Sequence, residues 1–101
     1  MTVYLAGKIY GDSNYKAKFD AAQKKLEDMG YVVLSPAILP SQGFEYDAYL
    51  RISDAMRREC EAICLLPDWI DSNGAIGEYQ KALDQGQKII FYSEVLLDAT
   101  A

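Results

Sequence analysis

Apolar and polar positions along this chain fall into blocks that switch between two periods. Short apolar runs at residues 3–6, 31–34, 62–66 and 88–92 predict four strands. Between the runs, apolar residues recur at spacings of three and four, which is the period of a helix with one buried face. The first helix has the stripe Tyr15, Phe19, Ala22, Leu26 and Met29, with Ser13 or Asn14 as the candidate cap at its start. The predicted order is β-α-β-α-β-α-β.

The second and third helices are predicted with less regular apolar faces. The second covers residues 47–59, with inward positions at Leu50 or Ile52, Ala55, Met56 and Cys60. The charge run 57–59, Arg-Arg-Glu, is predicted to be a solvated face. The third helix begins near residue 73 or 74 and is closed by Gly86, and its stripe consists of Ala75, Ile76, Tyr79, Ala82 and Leu83. The tail, residues 93–101, is predicted to form a short helix or to reach a neighbouring subunit.

The strands decide the fold class. They are apolar throughout, which is typical of strands buried on both faces of a parallel sheet. Alternation with helices then predicts one α/β domain over residues 1–101, a Rossmann-like or flavodoxin-like three-layer sandwich with a parallel sheet of four to five strands. Ligands of such folds bind beyond the carboxyl ends of the strands. The loops 7–14 and 67–74 are therefore the candidate site.

Net charge and apolar content exclude several classes of partner. The chain has 101 residues and a net charge of −5, so it lacks the basic surface that a nucleic-acid polymer requires. No apolar run approaches the ~20 residues that span a bilayer, and the first residues lack a signal-peptide pattern. We therefore expect no membrane partner and a cytoplasmic location. A small anionic ligand stays compatible with the charge, because a helix terminus and one lysine suffice to hold a phosphate.

The reactive side chains that the chain contains exclude several catalytic mechanisms. The chain has no histidine, so Ser-His, Cys-His and His-metal mechanisms drop out. Cys60 and Cys64 form an isolated C-x3-C pair, a weak metal signal that we interpret as two reduced cysteines in or near the core. Carboxylate, tyrosine, serine and lysine remain for chemistry, without a metal.

Glu78 is the carboxylate with the most suggestive position. It follows two glycines in the first turns of the third helix and borders the apolar stripe. An ionised, partly enclosed carboxylate can act as a nucleophile or stabilise a developing cation. A solvated glutamate that complements the helix dipole is the plainer alternative. Tyr4 lies in a buried strand, so its hydroxyl needs a partner, and a carboxylate on a neighbouring helix would serve.

Four further side chains have two interpretations each. Lys8, just past the first strand, either meets a phosphate or is an ordinary surface lysine. Ser72 is a helix cap, which does not prevent it from binding a ligand. Trp69 either stacks on a base or covers a subunit contact. Asp54 is either exposed or part of the site.

Several short motifs occur along the chain, and their order and spacing resemble those of the nucleoside 2-deoxyribosyltransferase-like superfamily. The resemblance is greatest to its small bacterial and phage branch, related to the 2′-deoxynucleoside 5′-phosphate N-hydrolases, and it covers residues 2–92. The motifs are Tyr4-Leu5-Ala6-Gly7, Asn14, Gly30-Tyr31-x-Val33, Ser35-Pro36-Ala37, Tyr49-x-Arg51, Ala55-Met56, Pro67-x-Trp69 and Ser72-x-Gly74-Ala75-x-x-Glu78-x-x-x-Ala82.

The resemblance implies a role for each matching residue. The glutamate matching Glu78 attacks C1′ of the deoxyribose, and the tyrosine matching Tyr4 contacts and tunes it. Ser72 matches the serine with which the hydrolases bind a 5′-phosphate, and Lys8 occupies a phosphate-facing position. Gly7 and Gly74 complete the sugar-phosphate cradle. The resemblance also implies that no cofactor is needed.

The second helix departs from the family pattern. Family enzymes carry an aspartate there that assists at the sugar or the leaving base, and its ungapped match is Ser53, with Asp54 one residue on. A shift of one residue rotates a side chain by about 100° around a helix. Either Asp54 replaces the family aspartate through a local shift, or its role is missing. Members also tend to be dimers or larger, which implies a homo-oligomer.

Three functions follow as expectations. The first is cleavage or transfer at the N-glycosidic bond of 2′-deoxynucleosides or their 5′-monophosphates, through a glycosyl-enzyme intermediate on Glu78. The alternative is a non-catalytic module that binds or senses a nucleotide in the same pocket. A third is cleavage of a larger nucleotide such as a dinucleotide, which Trp69 and the long loop 38–46 would accommodate.

Overall fold

The computed structural model describes the backbone of residues 1–100 and the side chains of residues 1–98. Strands and helices alternate along the chain, as the sequence predicts, and 3-10 turns precede α2 and α3 at Pro36–Ile38 and Trp69–Asp71. The tail forms a helix, the first of the two predicted outcomes. The bounds are β1 (Thr2–Ala6), α1 (Tyr15–Asp28), β2 (Val32–Leu34), α2 (Tyr46–Arg58), β3 (Ala62–Leu65), α3 (Asn73–Asp84), β4 (Lys88–Phe91) and α4 (Tyr92–Thr100).

All four strands are parallel, in the order β2-β1-β3-β4. Tyr4 of β1 lies opposite Leu34 of β2 and Ile63 of β3. The two central strands are buried, whereas Val32 at the edge of the sheet is 65% exposed. The prediction that every strand is buried on both faces is therefore wrong for β2, because an edge strand has cover on one side only.

Side chains of β1 point alternately to the two faces of the sheet, as the period of a strand requires. Val3 and Leu5 pack with α1 and α4, around Phe19 and Val95. Residues Tyr4 and Ala6 of the same strand pack on the opposite face, with Ala75 and Ala82 of α3 and the inner side of α2. Helices on both faces of a parallel sheet make the predicted three-layer α/β sandwich.

The inward face of α2 differs from its prediction. Leu50 and Ile52 are each 37% exposed, and Ala55 is exposed as well. Arg57, predicted to be solvated, is completely buried and is the buried residue of this helix. Met56 and Cys60, which were also predicted to face inward, do pack against the core. The apolar pattern therefore identified the inner face only in part, because that face also contains a charged side chain.

The other helices follow their predictions more closely. Phe19, Ala22 and Leu26 of α1 are buried as expected. Asn14 precedes α1 but makes no capping hydrogen bond with its side chain. Gly86 follows α3 with a φ of +68°, the left-handed conformation that a closing glycine adopts. Met29 and Leu83, which were predicted to lie on the apolar stripes of α1 and α3, are exposed. Cys60 is half-buried and Cys64 is buried, as predicted for cysteines in or near the core.

Candidate functional site

A large cleft lies beyond the carboxyl ends of β1 and β3. These neighbouring strands are followed by connections to opposite sides of the sheet, which creates the crevice in which ligands of such folds bind. The cleft has a volume of about 1210 Å³. Its walls come from the first loop, from the segment between β2 and the middle of α2, and from the start of α3. Both loops named from the sequence contribute to it.

Tyr4 and Glu78 form a hydrogen-bonded pair in this cleft. The hydroxyl of Tyr4 donates to Oε2 of Glu78 at 2.5 Å. β1 supplies the tyrosine from the core, and Glu78 is brought over it by the second turn of α3. The expectation that a carboxylate on a neighbouring helix satisfies the Tyr4 hydroxyl is confirmed.

The surroundings of Glu78 raise the pKa of its carboxyl group to near neutral pH. Burial raises the pKa of Glu78 to about 7, against the lowering effects of the Tyr4 hydrogen bond and of the positive charge of Arg57. Burial and the charge of Glu78 raise the pKa of Tyr4 well above its usual value, so this hydroxyl keeps its proton. The Ser53 hydroxyl also lies beside Tyr4 and lines the cleft. A carboxylate with this pKa is partly ionised at neutral pH.

Lys18 fixes the shape of the first loop. Its ammonium group donates to the carbonyl oxygen of Lys8 at 2.7 Å and to Oδ2 of Asp12 at 2.7 Å, and it also pairs with Asp68. Burial disfavours the charge of Lys18, but the two carboxylates outweigh it and raise its pKa. The backbone N–H of Lys8 donates to Oδ1 of Asp68 at 3.0 Å. These contacts tie the loop after β1 to the loop after β3.

Gly7 allows the two loops to approach each other. A β-carbon at this position would lie 3.0 Å from Cβ and Cδ1 of Leu66 and 3.0 Å from Oδ1 of Asp68. Real β-carbons rarely come this close, so a larger residue would push the loops apart. The glycine of the Tyr-Leu-Ala-Gly motif therefore has a packing role in addition to lining the cleft.

The start of α3 lies at the wall of the cleft. Ser72 caps the helix, since its Oγ accepts from the N–H of Ala75 at 3.1 Å. Ser72, Asn73 and Gly74 all line the cleft. A β-carbon at residue 74 would be 4.0 Å from the hydroxyl of Tyr46, which is an ordinary van der Waals distance, so a small side chain would fit there. A helix start with free N–H groups is a favourable place for an anion or a hydroxyl.

Five of the eight predicted site residues line the cleft, namely Tyr4, Gly7, Ser72, Gly74 and Glu78. Lys8, Asp54 and Trp69 are not among the residues that line it. Trp69 packs instead against Tyr79, with ring centroids 4.7 Å apart, and against Phe91 at 6.5 Å. These contacts hold the half-buried indole against the core, beside α3 and β4.

Asp54 lies in an ion-pair cluster behind the cleft. Its carboxylate is 2.9 Å from Nη2 of Arg57, 3.6 Å from Nη1 of Arg58 and 3.8 Å from Nζ of Lys81. Partial burial raises its pKa, but the Arg57 hydrogen bond and the positive charges outweigh that effect and lower it. Asp54 is consequently an ionised partner of cations.

Arg57 is the residue that the sequence interpretation missed. Its guanidinium donates to Oε1 of Gln87 at 2.6 Å and to Oε1 of Gln85 at 2.9 Å, in addition to Asp54. Nε is buried and has no hydrogen-bond partner. The Gln-Gly-Gln sequence at residues 85–87 was a signal for this contact, because it places two amides just after α3.

The long segment between β2 and α2 forms an aromatic wall of the cleft. Phe44 packs edge-on against Tyr49 at 5.7 Å, and the hydroxyl of Tyr49 donates to the carbonyl of Pro40 at 2.7 Å. Across the cleft, Tyr10 of the first loop is 93% exposed. The lining contains the carboxylates of Asp12, Asp71 and Glu78, and no lysine or arginine is among the described residues that line it.

The described residues contain neither a metal-binding cluster nor a membrane-spanning helix. Residues 1–98 contain no group of three or more His, Cys, Asp or Glu side chains placed to hold a metal ion. None of the helices in this part of the chain has both the length and the apolar content needed to cross a membrane.

Residues 1–91 match the model of a domain family of unknown function, DUF4406, and the chain belongs to this family. DUF4406 is a nucleoside deoxyribosyltransferase-like family, so the resemblance found in the sequence is confirmed. Among solved structures, the chain is similar to a 2-desoxiribosyltransferase from Leishmania mexicana, with a TM-score of 0.69 and 20% identity. The match covers 89% of this chain and 62% of the Leishmania mexicana protein, so this chain spans less than two thirds of the length of that protein. No curated protein matches the sequence.

Proposed function

We propose that the protein cleaves or transfers at the N-glycosidic bond of 2′-deoxynucleosides or their 5′-monophosphates, with Glu78 as the nucleophile. The observation that carries this proposal is the 2.5 Å hydrogen bond between the Tyr4 hydroxyl and Oε2 of Glu78. A carboxylate that only complemented a helix dipole would be solvated, whereas Glu78 is half-buried at the foot of a large cleft. The pairing leaves Oε1 free to attack.

The chemistry takes two displacements. An oxygen of ionised Glu78 attacks C1′ as the C1′–N bond breaks, and the departing base keeps the bonding electrons and takes a proton from solvent. The resulting glycosyl ester is then attacked at C1′ by water, which loses a proton, or by the nitrogen of a second base. Each attack restores the Glu78 carboxylate and, because two inversions occur, retains the configuration at C1′. Tyr4 holds the carboxylate in one orientation and stabilises its charge.

The shape of the cleft supports a sugar with a base attached. Its volume of about 1210 Å³ exceeds the range of roughly 300–1,000 Å³ that is typical of small-molecule sites. Aromatic side chains on one wall suit the face of a base. The capped start of α3 suits the 5′ end of the sugar, as either a hydroxyl or a phosphate. A homo-oligomer in which a neighbour completes the open side of the cleft is part of the same proposal.

The second candidate is a module that binds a nucleotide without cleaving it. The arrangement around Asp54 favours it, because Ser53 occupies the family aspartate's position and Asp54 pairs with three cations instead of facing the cleft. Such a protein would lack the group that assists the leaving base. It would bind the same ligands and release no free base.

The deciding experiment separates the two candidates by product. The protein is incubated with the four 2′-deoxynucleosides, their 5′-monophosphates and the matching ribonucleotides, with and without a second base, and free base is followed by chromatography. Glu78→Gln should abolish base release, because an amide cannot form the ester. Glu27→Gln, an exposed glutamate on α1 at the other face of the sheet, is the matched control and should retain full activity.

A trapping experiment tests the intermediate directly. A 2′-fluoro-arabinosyl nucleoside slows the second displacement, so the wild-type protein should gain the mass of the fluorinated sugar on the peptide that contains residue 78. Full activity of Glu78→Gln would overturn the mechanism. Thermal stabilisation by one ligand, with no base released across the panel, would establish the binding module instead.

A further inference from the structure

Arg57 is completely buried, and one of the hydrogen-bond donors of its guanidinium group has no acceptor. Its side chain is inaccessible to solvent on the inner face of α2, the layer that covers Tyr4 and Ala6. Its Nε is buried without an acceptor. A buried guanidinium is costly unless it is paired and fully hydrogen-bonded. Because apolar packing can often replace a buried ion pair without loss of stability, the charge of Arg57 calls for an explanation beyond stability.

The partners of Arg57 hold the charge in place without cancelling it. Two of its three acceptors, Gln85 and Gln87, are neutral amides. The amide nitrogen of Gln87 in turn donates to the carbonyl of Arg57 at 2.9 Å and to that of Cys60 at 2.9 Å, which locks the end of α2 to the residues after α3. The third acceptor, Asp54, is shared among three cations. One carboxylate against three cations leaves this cluster net positive.

We propose that Arg57 is a positioning residue of the site, whose buried charge favours the ionised form of the nucleophile. Its guanidinium bonds to Gln85, which closes α3 two turns beyond Glu78 and on the same side of that helix. The inference rests on the proposed role of Glu78. The site removes water from Glu78 and offers it one hydroxyl donor, which leaves the carboxylate under-solvated. A fixed buried cation compensates because charges interact more strongly where water is excluded. Arginine suits this task, since it stays protonated when buried and its fork engages several acceptors.

Other groups around Glu78 either oppose Arg57 or act weakly. From α2, Asp54 raises the pKa of Glu78, and from α3 the largely exposed Lys81 lowers it. Lys81 is 57% exposed, so solvent screens it more than Arg57. From β1, Tyr4 donates its hydrogen bond. The remaining charged groups that line the cleft are the carboxylates of Asp12 and Asp71, which cannot stabilise a second negative charge.

The test measures the ionisation of Glu78 itself. Protein labelled with ¹³C at its glutamate carboxyls is titrated by NMR, and the Glu78 signal is assigned by its loss in Glu78→Gln. Arg57→Met should raise the midpoint of Glu78 by about 1 pH unit, as expected for removal of a nearby opposite charge. Arg58→Met is the matched control. It removes the neighbouring charge, which is 62% exposed, and should leave the midpoint within about 0.3 pH unit of wild type.

Two further variants separate charge from structure. Arg57→Lys keeps the charge and should keep the midpoint close to that of wild type. Arg57→Gln removes the charge but keeps hydrogen-bonding capacity, and it takes the place of Arg57→Met if the methionine variant does not fold. An unchanged midpoint in a folded neutral variant, or an equal rise in Arg57→Lys, would overturn the proposal.

The kinetic consequence follows from the same shift. If base release occurs, the acid limb of kcat/KM in Arg57→Met should move with the NMR midpoint and lower kcat/KM about tenfold on that limb, with little change at high pH. A midpoint that moves in a protein that releases no base would uphold the role of Arg57 and overturn the proposed reaction. The two failures are therefore distinguishable.

Discussion

At the scale of single residues, the Tyr4–Glu78 pair shows how a fold produces a reactive carboxylate. Burial pushes Glu78 towards its neutral form, and a hydroxyl and a buried guanidinium pull it back. The balance leaves a group that is ionised enough to attack and poorly solvated enough to be nucleophilic. Carboxylates used in catalysis are commonly tuned in this way.

This tuning should cost stability at high pH. The pKa of Glu78 rises from 4.5 to about 7 on folding, so its contribution to stability is fully present below pH 4.5 and is lost as the pH rises through about 7. Ionising this half-buried group therefore costs on the order of 3 kcal/mol. Glu78→Gln removes the titration and keeps an acceptor for Tyr4. It should be more stable than wild type at pH 8 and show a smaller difference at pH 5.

Urea unfolding at the two pH values measures this effect. Glu27→Gln, which replaces an exposed glutamate, should track wild type at both. If the difference in unfolding free energy between Glu78→Gln and wild type were the same at pH 5 and pH 8, the raised pKa would be contradicted.

Replacing Tyr4 by Phe tests the hydrogen bond alone. The ring stays in the core, but Glu78 loses the donor that lowers its pKa. The acid limb of the pH–rate profile should move to higher pH, so activity near pH 6 falls several-fold while activity at pH 9 falls less. The profile is measured as kcat/KM for the best substrate of the panel. An equal loss at every pH would assign Tyr4 to orientation of Glu78 and not to its ionisation.

At the scale of elements, the contact between the loops after β1 and β3 holds in place the first loop, which lines the cleft. Gly7→Ala would press a methyl group against Leu66 and Asp68, each 3.0 Å from the new carbon. Overpacking of this kind costs about 1–3 kcal/mol. We expect that loss in urea unfolding, together with weaker ligand binding as the loop moves.

Gly77→Ala is the matched control for Gly7→Ala. A β-carbon at residue 77 meets nothing within 4 Å, and the residue lies inside α3. Alanine is the better helix former by about 1 kcal/mol, so this variant should be as stable as wild type or more stable. Equal destabilisation by both substitutions would show that the close approach at Gly7 is not what matters.

The elements also show how far the sequence could lead. Helix and strand order and the parallel sheet were predictable, because they follow from local periodicity and from the alternation of strands with helices. The residues alone predicted only that a carboxylate on a neighbouring helix would satisfy Tyr4, and the family resemblance implied that this carboxylate is Glu78. The burial of Arg57 on α2 was not predictable, because it depends on Gln85 and Gln87, which lie about thirty residues away in the chain. Trp69 had the same difficulty, since its partner rings come from α3 and β4.

At the scale of the whole molecule, the distribution of charge favours a nucleoside over its phosphate as the ligand of the proposed site. The net charge is −5, and the described cleft lining carries carboxylates and no cationic side chain. Lys18 of α1, the cation that contacts the first loop, is already paired with Asp12 and Asp68. A phosphate would therefore depend on the start of α3, and the field of the protein would oppose it.

This opposition should be visible in the salt dependence of binding. Between about 20 and 200 mM salt the Debye length falls from roughly 20 Å to 7 Å, so screening should improve binding of a 2′-deoxynucleoside 5′-monophosphate relative to its nucleoside. Calorimetric titration of Glu78→Gln with both ligands gives the ratio of Kd values without turnover. A ratio that moves the other way would mean that a cation meets the phosphate, which is the role predicted for Lys8. Lys8→Met should then weaken binding of the monophosphate alone, whereas it should change neither Kd if the start of α3 is the main contact.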